Sequence, residues 1–484
     1  MGVTGRLTRR AVLGRGAAAL LLGQHWSACS RPHQRGGADR PNIIVILSDD
    51  QGYSDLGVYG CADIPTPNID SLAERGVRFT NSYVSCPYCS PSRAGLLTGR
   101  YQERFGHEFN THSTPYFLKM GGDPSKAGLP LTETTLADRL RESGYVTGAV
   151  GKWHLGEAPQ YHPLKRGFRE FYGFLGGGRS YFPQSNLGAG SATILRNYEP
   201  VPWDGYLTDV LGSEASSFID RHRNEPFFLY LAPNAVHSPM EAPQRYLNRF
   251  PEIRDEPRHT YAGMLLALDD AVGKVLGKIR EAGLEDKTLI FFLSDNGGPT
   301  KKGASTGSRN GPLRGSKCDT WEGGIRVPML VQWKGKLTGK RVYDKPVIQL
   351  DIAATALAAA GVQVKPEWKL DGVNLLPYLT GDHQGDPHRV LFWRFGEHMA
   401  VRMGDWKVAR SWDNDTPQLF NLREDLGESR DLAKREPEKF RELMAAWKAW
   451  DAELIPPQWP MPEGDYPARG IGECRRETPE DPCP

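Results

Sequence analysis

Asn42-Ile43-Ile44-Val45-Ile46-Leu47 runs directly into Ser48-Asp49-Asp50, and the reading of this stretch decides the fold. The run is short, β-branched and free of polar alternation, which predicts a strand buried on both faces of a parallel sheet. Thr288-Leu289-Ile290-Phe291-Phe292-Leu293 repeats the pattern and ends on Ser294-Asp295-Asn296. Two further runs behave alike: Tyr145 to Val150 leads into Gly151-Lys152-Trp153-His154, and Pro226 to Leu231 into Ala232-Pro233-Asn234-Ala235-Val236-His237. Four expected strands therefore finish in polar chemistry.

Helical patterns lie between them, at Pro67 to Arg75, Leu131 to Ser143 and Tyr261 to Ala282, each followed by a glycine (Gly76, Gly144, Gly283). Alternating strands and helices predict an α/β fold: a large mixed, mostly parallel sheet flanked by helices, with ligands bound beyond the carboxyl ends of its strands. After about Leu379 the style changes. Val390 to Arg394 and Met399 to Arg410, turning at Gly404-Asp405, read as short strands before an amphipathic helix near Pro437 to Leu454. This predicts a smaller C-terminal α+β domain carrying an antiparallel sheet. Leu175 to Ser180 and Gly303 to Gly315 read as loops of functional length, and the Pro-rich tail from Pro456 as extended chain.

The N-terminus reads as a targeting segment: Thr8-Arg9-Arg10, a weakly apolar run from Ala11 to Gly23, then Ser27-Ala28-Cys29. The paired arginines resemble a twin-arginine export signal, and Ala28-Cys29 a lipoprotein cleavage site, although Trp26 departs from the aliphatic residue usual there. The expected division is 1–29 export signal, 40–379 catalytic domain, and 380–484 C-terminal α+β domain with its tail. The expected location is the periplasm or outer membrane of a bacterium, with a lipid on Cys29 as the only membrane attachment.

The 484 residues carry 60 Lys and Arg against 58 Asp and Glu, a formal charge of +2. Loss of residues 1–28 removes Arg6, Arg9, Arg10 and Arg15 and no acid, taking this to −2. A near-neutral mature chain excludes a nucleic-acid binder, which carries a strong basic excess. Of the seven cysteines, Cys474 and Cys483 have a spacing that permits a disulfide in an oxidising compartment.

Asp49, Asp50, Asp295 and Asn296 offer hard oxygen ligands without histidine or thiolate, which selects Ca²⁺ or Mg²⁺ over zinc. Alternation puts Lys152 and His154 on one face and Trp153 in packing. The most specific signal is Cys89-Ser90-Pro91-Ser92-Arg93, continuing Ala94-Gly95-Leu96-Leu97-Thr98-Gly99-Arg100. Pro91 suits the first turn of a helix over Ser92 to Leu97, which places residue 89 at the positive end of the helix dipole.

The twelve residues from Cys89 to Arg100 resemble the signature of the formylglycine-dependent type I sulfatases, arylsulfatase-like members of the alkaline phosphatase superfamily. Asp49, Asp50, Lys152 and His154 in GKWHLG, His237 in NAVHSP, Asp295, Asn296 and Lys317 in LRGSK follow in that family's order. The resemblance implies an alkaline-phosphatase-like sheet and conversion of Cys89 to Cα-formylglycine by a formylglycine-generating enzyme. Its hydrate would supply the nucleophile, and an oxygen of residue 89 would join the metal shell. It further implies that Arg93 and Lys152 fix the modified residue and that His154 takes the proton from its second hydroxyl. His237 would protonate the leaving alcohol, with Lys317 assisting, and both would hold the sulfate.

His107-Glu108-Phe109-Asn110 and the Gly-rich stretch Gly176 to Phe182, with Arg179, combine polar, cationic and aromatic groups suited to a sugar ring. The expected substrate is a sulfated sugar or oligosaccharide desulfated at an exposed end, with His107, Arg179, His237 and Lys317 binding it and aryl sulfates turning over in assay. Two readings compete: a phosphonate monoester or phosphodiester hydrolase on the same site, and an inactive binder of sulfated glycans.

Overall fold

The computed structural model describes residues 1–2, 40–111, 123, 125–183, 193–301, 305–414 and 416–460. In chain order its strands are β1 (Asn42–Ser48), β2 (Val77–Phe79), β3 (Ser82–Tyr83), β4 (Val146–Lys152), β5 (Glu170–Phe174), β6 (Leu195–Arg196), β7 (Glu199–Pro200), β8 (Phe227–Ala232), β9 (Thr288–Ser294), β10 (Met329–Gln332), β11 (Arg341–Tyr343), β12 (Val347–Ile348), β13 (Leu391–Phe395), β14 (His398–Met403), β15 (Trp406–Arg410) and β16 (Gln418–Asn421). Ten form one sheet in the order β11-β2-β10-β9-β1-β8-β4-β5-β6-β7. Its centre, β9-β1-β8-β4-β5, is parallel, whereas β10, β6 and β7 run antiparallel to their neighbours.

β1 explains why its sequence lacks alternation. Ile44 and Ile46 enter the core on one face of the sheet, and Ile43, Val45 and Leu47 the core on the other. All five are at most 1% exposed, and each such burial contributes about 1.5–3 kcal/mol. The helices Leu207–Arg221 and Glu256–Glu281 cover the first face, and Cys89–Thr98, Leu136–Glu142 and Asp351–Ala359 the second.

Register is what builds the site. β1 pairs with β9 from Asn42 opposite Thr288 to Ser48 opposite Ser294. Both strands thus end level, and Asp295 N–H donates to Ser48 O at 3.0 Å. On the other side β8 pairs with β1 and with β4, and Asp49 N–H donates to Ala235 O at 3.0 Å. The four polar clusters share one edge.

Several boundaries differ from the sequence reading. The helix expected from Leu131 begins at Leu136, because Thr135 forms a capping box with Asp138. The helix expected from Tyr261 begins at Glu256, capped by Asp255, which accepts from Arg258 N–H at 3.0 Å. β4 continues through Lys152, so this residue lies on a strand rather than beyond it.

β13 to β16 form an antiparallel sheet in sequential order. One face joins Trp393, Ala400, Ala409 and Phe420 to Tyr83, Ile325, Val327 and Ile348. The other packs Val401, Val408 and Leu419 under Leu443 of the helix Pro437–Asp451. Cys318 is disulfide-bonded, which its sequence context did not suggest. The disulfide that the spacing of Cys474 and Cys483 permits, the export signal, Cys29 and most of the Pro-rich tail lie outside the described residues.

Candidate active site

The helix Cys89–Thr98 begins at Cys89 itself, three residues ahead of the sequence estimate. Its N-cap Tyr88 makes no side-chain cap hydrogen bond. One donor of the first turn is met from across the fold: Ser90 N–H donates to Asn110 Oδ1 at 3.0 Å. Residue 89 is 1% exposed, and its Sγ lies 3.8 Å from Asp49 Oδ1.

Around it the strand ends deliver three carboxylates and three permanent cations, all buried. Lys152 Nζ is 2.6 Å from Asp49 Oδ2. Arg93 donates from Nη2 at 2.8 Å and from Nε at 3.0 Å to Asp295 Oδ2, and its Nη2 lies 3.5 Å from Asp49. Lys317 Nζ reaches Asp50 at 2.9 Å, and His237 Nε2 lies 3.6 Å from the same carboxylate. Without a bound ion the six fixed charges cancel, which makes their burial tolerable.

Burial pushes the Asp49 carboxyl up, but Lys152 in contact, with His237, Arg93 and Lys317 around it, more than reverses this and holds it well below the usual carboxylate range. Asp295 moves the other way, raised by burial and by neighbouring Asp49 against the pull of Arg93. Burial lowers the His237 imidazole, and the carboxylates of Asp50 and Asp49 more than reverse it, leaving it above its ordinary value. Burial drives the Cys89 thiol well up despite Lys152 and Lys317.

A cation would find a prepared set of donors. Ligand-capable atoms of Asp49, Asp50, Cys89 and His237 all lie within 4.8 Å of one another. Asn296 Nδ2 donates to Asp50 Oδ1 at 2.7 Å, while its buried Oδ1 has no hydrogen-bond partner. Asp295 Oδ1 accepts from Asp50 N–H at 3.2 Å and so remains beside the cluster.

The Gly-rich loop closes over this centre. A Cβ on Gly177 would stand 2.6 Å from His154 Nε2, and one on Gly178 3.5 Å from His237 Cε1, so a side chain at Gly177 would have to push the His154 ring aside. The Tyr181 hydroxyl sits against the Asn234 and His237 carbonyls and ties the loop to the His237 turn. Arg179, half-buried, lies with its guanidinium 5.2 Å from the Trp203 ring.

His107 is placed differently from its expected substrate contact. It has no exposed surface; its Nε2 lies 2.7 Å from Ser90 Oγ and its ring edge-to-face on Trp459 at 4.7 Å. Packed between Ser90 and Trp459, it presents no surface to a ligand. Sequence reasoning also missed Gln349, whose Nε2 donates to Ser92 O at 2.8 Å, and Trp459. Nothing in their local pattern marks either one.

The sulfatase family profile matches residues 41–362, and that of the N-sulphoglucosamine sulphohydrolase C-terminal region residues 317–449. The N-acetylgalactosamine-6-sulfatase of Homo sapiens is 35% identical over 398 residues, spanning 78% of this chain and 74% of the relative. The uncharacterized sulfatase YdeN of Escherichia coli is 34% identical and spans 88% of each chain. Among solved structures, Ps i-CgsB is 38% identical with a TM-score of 0.80, spanning 87% of this chain and 94% of that one. It has also been solved in complex with k-i-k-neocarrahexaose.

Proposed function

The chain belongs to the sulfatase family and is a sulfuric ester hydrolase, and we propose that it removes sulfate from a sulfated carbohydrate using formylglycine formed at Cys89 and a bound Ca²⁺. The observation that carries the reading is the set of buried charges around residue 89: Asp49, Asp50 and Asp295 against Arg93, Lys152 and Lys317.

Asp49, Asp50, Asp295 and Asn296 Oδ1 would hold the cation, and with an oxygen on residue 89 the donors suit a hard ion. The bound ion would supply electrostatic stabilisation of an anionic ester, and the hydrated aldehyde a nucleophilic oxygen. A divalent ion added to balanced charges leaves the centre at +2, which favours an anion. Lys317 and His237, both in contact with the Asp50 carboxylate, stand where they can bind the sulfate oxygens. His237, with its Nδ1 donating to Ser238 O at 2.6 Å, presents Nε2 to deliver a proton to the leaving alcohol. Arg93 and Lys152 orient residue 89, and His154, under Gly177, takes a proton from it.

The carbohydrate assignment draws on the relatives: one is named for an N-acetylgalactosamine sulfate, and another was solved with a neocarrahexaose. Arg179 beside Trp203 offers a cation and an apolar ring face at the loop over the centre, suited to an exposed sugar end. The division 40–379 and 380–484, with maturation by a formylglycine-generating enzyme and export through residues 1–29 to the periplasm or, with Cys29 lipidated, the outer membrane, completes the reading.

The test is sulfate release by protein coexpressed with a formylglycine-generating enzyme, on sulfated oligosaccharides, aryl sulfate, steryl sulfate and a phosphonate monoester, beside Cys89→Ala. The reading expects the oligosaccharides to have the highest kcat/KM and the variant to be inactive. A steryl sulfate or phosphonate ester turned over faster than every oligosaccharide would overturn the substrate assignment.

A further inference from the structure

His107 is a buried histidine joined to both halves of the reacting centre without touching the cation cluster. Ser90 Oγ lies 2.6 Å from His154 O and 2.7 Å from His107 Nε2. The hydroxyl has one proton, and two oxygens at 2.6 Å require it between them, so Ser90 donates to the His154 carbonyl. The His107 nitrogen must then be the donor to Ser90 Oγ, which fixes one tautomer of the ring. Burial pulls the imidazole down to about 3, so the ring is neutral and that tautomer persists at neutral pH.

The same loop makes two more ties. Asn110 Oδ1 accepts Ser90 N–H, the donor that Tyr88 leaves uncapped at the helix start, and Thr111 Oγ1 lies 3.5 Å from His154 O. His154 adopts φ 57°, a left-handed backbone that a non-glycine residue holds only when its surroundings enforce it. The loop itself is strapped from the C-terminal side. Trp459 Nε1 donates to the Phe109 and Asn110 carbonyls at 3.2 and 3.1 Å, Gln458 Nε2 to Phe105 O and Gln458 N–H to Gly106 O, both at 2.9 Å.

We propose that His107, held by the Gln458-Trp459 strap, is a positioning residue that locks the start of the Cys89 helix to the His154 turn through the Ser90 hydroxyl. This rests on the sulfatase reading for its catalytic consequence. Without His107 the Ser90 hydroxyl is free to turn away from the His154 carbonyl, and the distance between residue 89 and the His154 ring is no longer fixed. Misplacement of reacting groups by about 1 Å costs on the order of 100-fold in rate. Because His107 is fully buried between Ser90 and Trp459, that loss falls on kcat and leaves KM alone.

The test compares wild type, His107→Ala, His107→Gln and Trp459→Phe in steady-state sulfate release normalised to formylglycine content, and in hydrogen exchange. Gln can place an amide N–H near the former Nε2, and Phe keeps the ring against His107 while removing the indole donor. Expected are a roughly 10- to 100-fold fall in kcat for His107→Ala with KM within about twofold, recovery of much of that loss in His107→Gln, and a smaller kcat fall in Trp459→Phe. Exchange should quicken in His107→Ala in the peptides around Ser90 and His154 and not elsewhere. A rise in KM at constant kcat would make His107 a substrate contact and overturn the proposal, as would equal defects in the Ala and Gln variants or unchanged exchange at both peptides. Exchange reads the lock even if the wild type releases no sulfate, a result that would refute the sulfatase reading alone; if His107→Ala does not fold, Trp459→Phe carries the test, with lower kcat at constant KM and quicker exchange around Ser90 and His154 expected, and wild-type values of both overturning the proposal.

Discussion

Lys152→Met tests the balance of charges around Asp49. Lys152 Nζ lies 2.6 Å from Asp49 Oδ2 with no exposed surface on either side chain, and the methionine fills similar volume without charge. Removing one partner of a buried pair leaves the other uncompensated, at a cost of about 3–5 kcal/mol. Arg93, 3.5 Å from Asp49 and already engaged with Asp295, cannot replace it. The described residues between 40 and 460 number roughly 400, so unfolding entropy of about 2.1 cal/mol/K per residue makes each kcal/mol worth about 1 °C. Tm in EDTA should therefore drop by about 3–5 °C. A divalent ion bound to Asp49 and Asp50 restores the missing positive charge, so at saturating Ca²⁺ and equal ionic strength the drop should shrink by about half or more, because linkage stabilises the variant more than the wild type. Differential scanning calorimetry in both buffers reads the comparison. Equal drops with and without Ca²⁺, or none in either, would refute the reasoning.

Three other outcomes follow from buried groups. His107, lowered from 6.5 to about 3, stays neutral in the fold while the unfolded chain protonates, so stability is fully present above about pH 6.5 and is lost as pH falls towards 3; denaturant titrations should show up to about 1.4 kcal/mol per pH unit that is absent in His107→Gln. Lys407 Nζ, 2.9 Å from Glu322 and 2.8 Å from Glu428 with all three side chains fully buried, joins β15 to the chain that follows Lys317, and Lys407→Met should destabilise by about 3–5 kcal/mol; a loss below about 1 kcal/mol in urea unfolding would contradict this. Gly177→Ala puts a methyl where 2.6 Å separates it from His154 Nε2, so kcat should fall at least about tenfold with Tm little changed, and an unaltered kcat would remove His154 from the chemistry.

Much of the site was readable locally because its chemistry sits at the ends of strands with strong local signatures. β1 and β9 declare themselves by unbroken apolar runs, and the groups that follow, Asp49, Asp50, Asp295 and Asn296, meet because the two strands end in register. The register itself was not legible: nothing in either run says that Ser48 lies opposite Ser294. The antiparallel β10 and the short β2 and β11 escaped notice because three- and four-residue segments carry too little pattern. The helix at Cys89 began earlier than Pro91 suggested because its cap comes from Asn110 across the fold rather than from its own N-cap. His107 looked like a sugar contact beside polar and aromatic neighbours, and its burial depends on Trp459, 352 positions further on by the numbering, which no local pattern reveals.

The chemical state of residue 89 decides whether this centre can release sulfate. Mass spectrometry of the peptide containing Ser90 to Arg93, on protein made with and without a formylglycine-generating enzyme, should find an aldehyde in place of the Cys89 thiol, with sulfate release rising in proportion to the converted fraction. Full activity in protein whose residue 89 is entirely thiol would contradict the account.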